Sequence, residues 1–196
     1  MTPARIEGKP IPKCSFWAQS SALGWALSAM VLLAGAAHAE SPTAGEYQVK
    51  AAFLYNFAKF VEWPPSTFPD ASAPLRICVF GPDPFGQELR TITNEKTVKG
   101  RRLQVDQVVD MQLARTCQIL FIAASEKSQL KRIFEDLRGT FVLTVGDTKG
   151  FADCGGVINF VLENNRVQFE VNRKAAEQAG LKISSKLLSV AKLVIG

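Results

Sequence analysis

Histidine is nearly missing from this chain: His38 is the only one among 196 residues. Ser-His-Asp catalysis, Cys-His catalysis and His-ligated zinc all need an imidazole fixed in the folded body. Those chemistries therefore hang on whether residue 38 belongs to the working protein. Other signals are missing too. The sequence carries no Cys-x-x-Cys pair, no Gly-x-Ser-x-Gly elbow and no acidic cluster with metal-ligand spacing. It contains no internal repeat, low-complexity tract or second-domain linker. Its longest apolar run, Ala22–Ala37, has 16 residues, short of the roughly 20 that a membrane-spanning helix needs.

That run is informative in another way. Arg5, Lys9 and Lys13 precede it, and it closes on Ala37-His38-Ala39 before Glu40. A basic start, an apolar centre and small residues at an A-x-A site are the pattern of a secretory signal peptide. Residues 1–39 are thus expected to be cleaved between Ala39 and Glu40, leaving residues 40–196 as a single exported domain. Cys14 stands before the apolar run, so it is not placed as a lipid-attachment cysteine. Cleavage removes 39 of the 196 residues and leaves 157, none of them histidine. It also removes three of 23 basic and one of 18 acidic residues, so the net charge falls from +5 to +3. That excess is too small to signal a polyanion, and no nucleic acid is expected as a partner.

Three cysteines remain in an exported chain, where disulfides persist. Cys78 lies in Arg76-Ile-Cys-Val-Phe80 and Cys117 opens Cys117-Gln-Ile-Leu-Phe-Ile122, both strand-like. If they are the first and third strands of a doubly wound sheet, the common order makes them neighbours. A bridge would close a loop of about 40 residues, contributing roughly 3–4 kcal/mol on the chain-entropy account. Two buried free thiols are the alternative. Cys154, in Phe151-Ala-Asp-Cys-Gly-Gly156, is left over. It is expected either as an inert structural residue or as a free or intermolecular thiol.

The organisation reads as α/β. Val49, Phe53, Phe57, Phe60 and Val61 form an apolar stripe over a helix from Glu46 to Glu62, with Lys50, Lys59 and Glu62 off the stripe. Trp63-Pro64-Pro65 stops it. Strands are expected over Leu75–Phe80, Arg102–Val108, Gln118–Ala123 and Thr140–Val145. Helices are expected around Phe85–Asn94 and after Ser125 as N-cap, the latter ending at Gly139. Two strands flanking Glu163-Asn-Asn165 read as a hairpin. A helix follows from Asn172, breaks at Gly180 and resumes over Ser184–Val194. The sum is a three-layer αβα sandwich with a mainly parallel sheet and a C-terminal β-hairpin plus helices.

Motif-like strings carry little chemistry. Gly81-x-x-x-x-Gly86 lacks the Lys-Ser/Thr of a phosphate loop, and its two prolines remove N–H donors. Asp147 sits at the C-terminal end of a strand, where ligands of open α/β sheets gather, yet a lone Asp there is commonly a turn or cap residue. The basic cluster Lys99-Gly-Arg101-Arg102 reads as a solvated loop. No catalytic, metal-binding or cofactor-binding residue emerges.

Four segments together resemble a known family. They are Val49-Lys-Ala-Ala-Phe-Leu-Tyr-Asn-Phe-Ala-Lys-Phe-Val-Glu-Trp-Pro64, Cys117-Gln-Ile-Leu-Phe-Ile122, Leu143-Thr-Val-Gly-Asp147, and Gly155-Gly-Val-Ile-Asn-Phe160. The last is continued by Arg166-Val-Gln-Phe-Glu-Val-Asn172 and Leu181-Lys-Ile-Ser-Ser-Lys-Leu-Leu188. This set is similar to the YfiR family of periplasmic proteins. The resemblance implies a non-enzymatic regulator that binds the periplasmic part of an inner-membrane diguanylate cyclase. Such a protein lowers cyclic-di-GMP output and biofilm formation, and an OmpA-like outer-membrane lipoprotein can sequester it. The resemblance also implies a homodimer without cofactor, and it supports Cys78 and Cys117 as the structural pair. Some relatives carry a second cysteine pair where this chain has only Cys154. The residues themselves leave a second class open, a periplasmic small-molecule receptor reporting to a membrane sensor.

Overall fold

In this computed structural model, residues 44–196 are described. The expected signal peptide and its Ala39/Glu40 cleavage point lie outside the described residues. The described part begins with helix α1 (Ala44–Phe60), which turns at once into a two-residue strand, β1 (Val61–Glu62). Then come β2 (Leu75–Phe80), α2 (Glu88–Thr93), β3 (Thr97–Val98), β4 (Arg101–Val108), α3 (Met111–Ala114) and β5 (Ile119–Ile122). A 3-10 segment (Ala124–Gln129) leads into α4 (Leu130–Asp136) and β6 (Leu143–Gly146). The C-terminal part holds β7 (Ile158–Glu163), β8 (Arg166–Asn172), α5 (Arg173–Gln178), β9 (Lys182–Ile183), α6 (Ser185–Leu188) and β10 (Leu193–Ile195).

Eight strands form one sheet in the order β10-β8-β7-β6-β5-β2-β4-β3. The run β4-β2-β5-β6-β7 is parallel, so the first of these strands lies between the second and the third. The hairpin β7–β8 and the short β3–β4 pair are antiparallel. Central strands β5 and β6 are buried on both faces, as parallel strands covered by helices on either side must be. Alternation sorts their side chains between two cores. Ile77, Val79, Ile119, Phe121, Leu143 and Val145 face one core together with Leu54, Phe57, Ala58 and Leu89. Cys78, Leu120 and Ile122 face the other, with Ala114, Leu130, Ile133 and Phe151. The architecture is the expected αβα sandwich with a C-terminal hairpin.

Several boundaries differ from expectation, each for a local reason. The first helix stops at Phe60, because Val61 and Glu62 leave it to pair antiparallel with Ile183 and Lys182. Ser125 is not a cap: its hydroxyl bonds Glu126 Oε1, and the 3-10 turn is capped by Ala123. The expected fourth strand starts later, at Leu143, since Thr140 closes the preceding helix end by donating to Leu137 O. The largest difference is at the end of the chain. Ser184 does cap a helix, accepting from Leu187 N, but the helix lasts one turn. Leu193-Val194-Ile195 becomes β10, parallel to β8, because an open sheet edge accepts an apolar, β-branched segment. Asn172 caps α5 as expected, and Asn164 and Asn165 both take positive φ in a two-residue hairpin turn.

Candidate functional site

The sheet places the C-terminal ends of β2, β5 and β6 together at the point where the strand order reverses, where ligands of open α/β sheets bind. At this end a buried polar cluster joins α1 to the loop after β6. Lys50 is only 4% exposed. Its ammonium donates to Asp147 Oδ2 at 2.7 Å and meets Glu46 Oε1 at 2.6 Å. The Tyr47 hydroxyl donates to the same Asp147 oxygen at 3.0 Å, and the Lys50 ammonium lies 4.4 Å from the Tyr47 ring. That ring packs edge-on against Phe85, which packs edge-on against Phe121 of β5. Burial and then the Asp147 charge push the Tyr47 hydroxyl well above the ordinary tyrosine range, so it stays protonated.

The cluster has two carboxylates against one ammonium, all nearly sealed from water. Asp147 Oδ1 is buried and accepts no hydrogen bond from any described residue, and Thr148 Oγ1 is similarly unpaired. Lys50, read as lying off the buried stripe, is therefore a core residue, and the reason is its two carboxylate partners. Asp147 is neither turn filler nor cap. It is the anchor that pins the first turns of α1 to the strand ends. The Glu46–Lys50 spacing at i, i+4 is readable in the sequence. The partner 97 residues away is not.

The cysteines divide. Cys78 and Cys117 are joined by a disulfide with Cα atoms 6.1 Å apart. Both are buried, on neighbouring strand β2 and just before β5. Cys154 is not a free thiol. The loop that bears it is shaped by glycine. A Cβ at Gly146 or Gly156 would collide with the Phe151 ring, which is fully buried between them. In the Gly81–Gly86 loop, Gln107 Nε2 donates to Gly81 O. The basic cluster is partly structural. Lys99 Nζ donates to Val61 O, and Arg101 donates to the carbonyls of Asp70 and Ala73.

Two open cavities lie elsewhere. One, of about 290 Å³, sits at the opposite, N-terminal ends of β5 and β6, among Ser66, Thr67, Arg115, Thr116, Gln118 and Phe141. The other, of about 210 Å³, lies between α5 and the β9–α6 segment. Among the described residues no group of three or more Cys, Asp and Glu side chains could hold a metal ion. None of the described helices is long and apolar enough to cross a membrane.

The protein is thus a disulfide-stapled α/β domain whose buried Lys50, Glu46 and Asp147 charges engage one another, and its edge strand β10 pairs on one side only among the described residues. The sequence profile of the YfiR/HmsC-like family matches residues 47–192, and the chain belongs to that family. It is a periplasmic, regulatory family acting in diguanylate cyclase signalling. No curated protein matches this chain. Among solved structures, a conserved domain protein from Vibrio cholerae O1 biovar El Tor superposes with a TM-score of 0.53 at 10% identity. The match covers 76% of this chain and spans 60% of that one, and it speaks to fold alone. The ABC domain from Streptococcus pneumoniae, solved in complex with L-Trp, gives a TM-score of 0.47 at 10% identity over 61% of this chain and 55% of that one.

Proposed function

We propose that this chain is a non-enzymatic periplasmic regulator that binds the periplasmic part of an inner-membrane diguanylate cyclase. By binding it holds down cyclic-di-GMP output and biofilm formation. The observation that carries the reading is membership of the YfiR/HmsC-like family across residues 47–192. In this account residues 1–39 direct export and are removed, residues 40–196 work as a single domain and homodimer, and an OmpA-like outer-membrane lipoprotein relieves repression by sequestering it.

Repression of this kind needs no catalytic group. It needs greater affinity for the inactive conformation of the cyclase than for the active one. To move a two-state partner from 1:99 to 99:1, that preference must reach about 10⁴-fold. The absence of histidine after residue 39 is in keeping with such a role. The open edge offers surface for a partner: Val190, Leu193 and Val194 are exposed apolar residues on or beside β10. The direct test is affinity capture from solubilised inner membranes with the processed chain as bait. A diguanylate cyclase retained through its periplasmic domain is the expected result. Recovery of no cyclase overturns the proposal.

The cavity at the N-terminal ends of β5 and β6 favours a second reading, a small-molecule receptor. That reading predicts a ligand-dependent rise in Tm, which the regulator reading does not need.

A further inference from the structure

The C-terminal end of α1 and the β3–β4 hairpin share a face on which cations sit over aromatic rings instead of against carboxylates. Lys59 Nζ lies 5.2 Å from the Tyr55 ring and 6.0 Å from the Phe60 ring, and Lys96 Nζ lies 4.7 Å from the same Tyr55 ring. Lys99 reaches the carbonyl of Val61, just past the helix end. Arg101, one turn of the hairpin away, stacks 3.8 Å over Phe68. Lys59, Lys96 and Lys99 are exposed, while Tyr55, Phe60 and Phe68 are half-buried. Arg101 lies close enough to Asp70 to help lower its carboxyl, whereas Lys59, Lys96 and Lys99 form no ion pair among the described residues, although Glu62 and Glu95 lie nearby in the chain.

The negative end of the α1 dipole accounts for one lysine in its last turn. It does not account for a second and third lysine delivered by a separate hairpin to the same ring and helix end. We propose that this face docks on an anionic lipid surface, the outer leaflet of the inner membrane. Half-buried rings with long cationic side chains lying over them suit a membrane–water interface. Their excess positive charge complements anionic headgroups. None of these residues lines either cavity, so the face fits a surface rather than an inserted peptide. The inference rests on the regulator reading only in placing the chain beside the inner membrane. Docking there confines the search for a membrane-bound partner to two dimensions.

The test is co-sedimentation of the purified, disulfide-bonded protein with protein-free vesicles. Binding is expected to phosphatidylcholine vesicles containing one-third phosphatidylglycerol and not to phosphatidylcholine alone. It should disappear at about 1 M salt, where the screening length is about 3 Å. The triple variant Lys59→Gln/Lys96→Gln/Lys99→Gln should bind about a hundredfold more weakly, given the contribution of each lysine at an anionic surface. Lys127→Gln/Lys131→Gln/Lys149→Gln, which removes the same charge from other exposed positions, should bind like the wild type. Three outcomes overturn the proposal: no binding to anionic vesicles, equal loss in both triple variants, or binding to polyglutamate in place of vesicles. Circular dichroism of each variant separates lost binding from lost folding. Because the vesicles hold no protein, failure here leaves cyclase binding untouched, and a failed cyclase capture leaves this result standing.

Discussion

Replacing Lys50 with Met should unlock the first helix from the sheet. The ammonium sits 2.7 Å from Asp147 and 2.6 Å from Glu46, whose side chains are only 7% and 10% exposed. At an effective dielectric constant near 20, each contact is worth about 6 kcal/mol of gross attraction. Desolvation of three charges offsets much of that, so the intact cluster adds little net stability. Removing its only cation is a different matter. Two nearly sealed carboxylates are then left facing each other, and loss of one partner from a buried pair costs about 3–5 kcal/mol. Glu46, in the first turn of α1, can swing outward, whereas Asp147 is held at the strand end. The double variant Lys50→Met/Asp147→Asn should therefore recover about 1–3 kcal/mol relative to the sum of the single changes. Urea unfolding, followed by circular dichroism and by fluorescence of Trp63, reads both quantities. A loss under about 1 kcal/mol for Lys50→Met, or strict additivity in the cycle, refutes a buried, coupled cluster.

Three further outcomes follow from the same framework. Replacing both Cys78 and Cys117 with Ser opens a loop spanning 39 positions and should cost about 4 kcal/mol in urea unfolding; an unchanged midpoint would contradict the stapling role. Because the Tyr47 hydroxyl titrates above its ordinary range when folded, its contribution is complete below the unfolded value of about pH 10 and is lost as pH rises past it. Wild-type stability should thus fall more steeply in alkali than that of Tyr47→Phe, and parallel curves would dispose of the Tyr47–Asp147 bond. Gly156→Ala drives a Cβ into the Phe151 ring and should cost about 1–3 kcal/mol, measurable as a lower Tm; a neutral substitution would mean the loop can give way.

Much of this fold was legible in the sequence, and the exceptions share a cause. Leu75–Phe80 is a strand end to end because an apolar run between turn residues has one stable placement, in a two-sided core. The 164–165 turn was legible because Asn tolerates the positive φ that a tight hairpin demands. What escaped was decided by distant partners. Val61-Glu62 reads as helix until Lys182-Ile183 offers it a ladder. Leu193-Val194 reads as helix until β8 presents an open edge. Lys50 reads as surface until Asp147, close only after the sheet has formed, accepts its charge. The disulfide lies between, since strand order makes neighbours of Cys78 and Cys117 but leaves paired and free thiols as alternatives until the geometry is known. The cation–aromatic face was invisible as a group, because Tyr55, Lys96 and Phe68 belong to three separate segments.

Repression of a diguanylate cyclase from the periplasmic side has a readout in living cells. The most direct measurement is cellular cyclic-di-GMP in a strain lacking the chromosomal copy, complemented by the chain either with residues 1–39 or without them. The exported form should lower cyclic-di-GMP and surface attachment, while the form retained in the cytoplasm should change neither. Equal effects from both forms, or no effect from the exported one, would contradict repression from the periplasmic side.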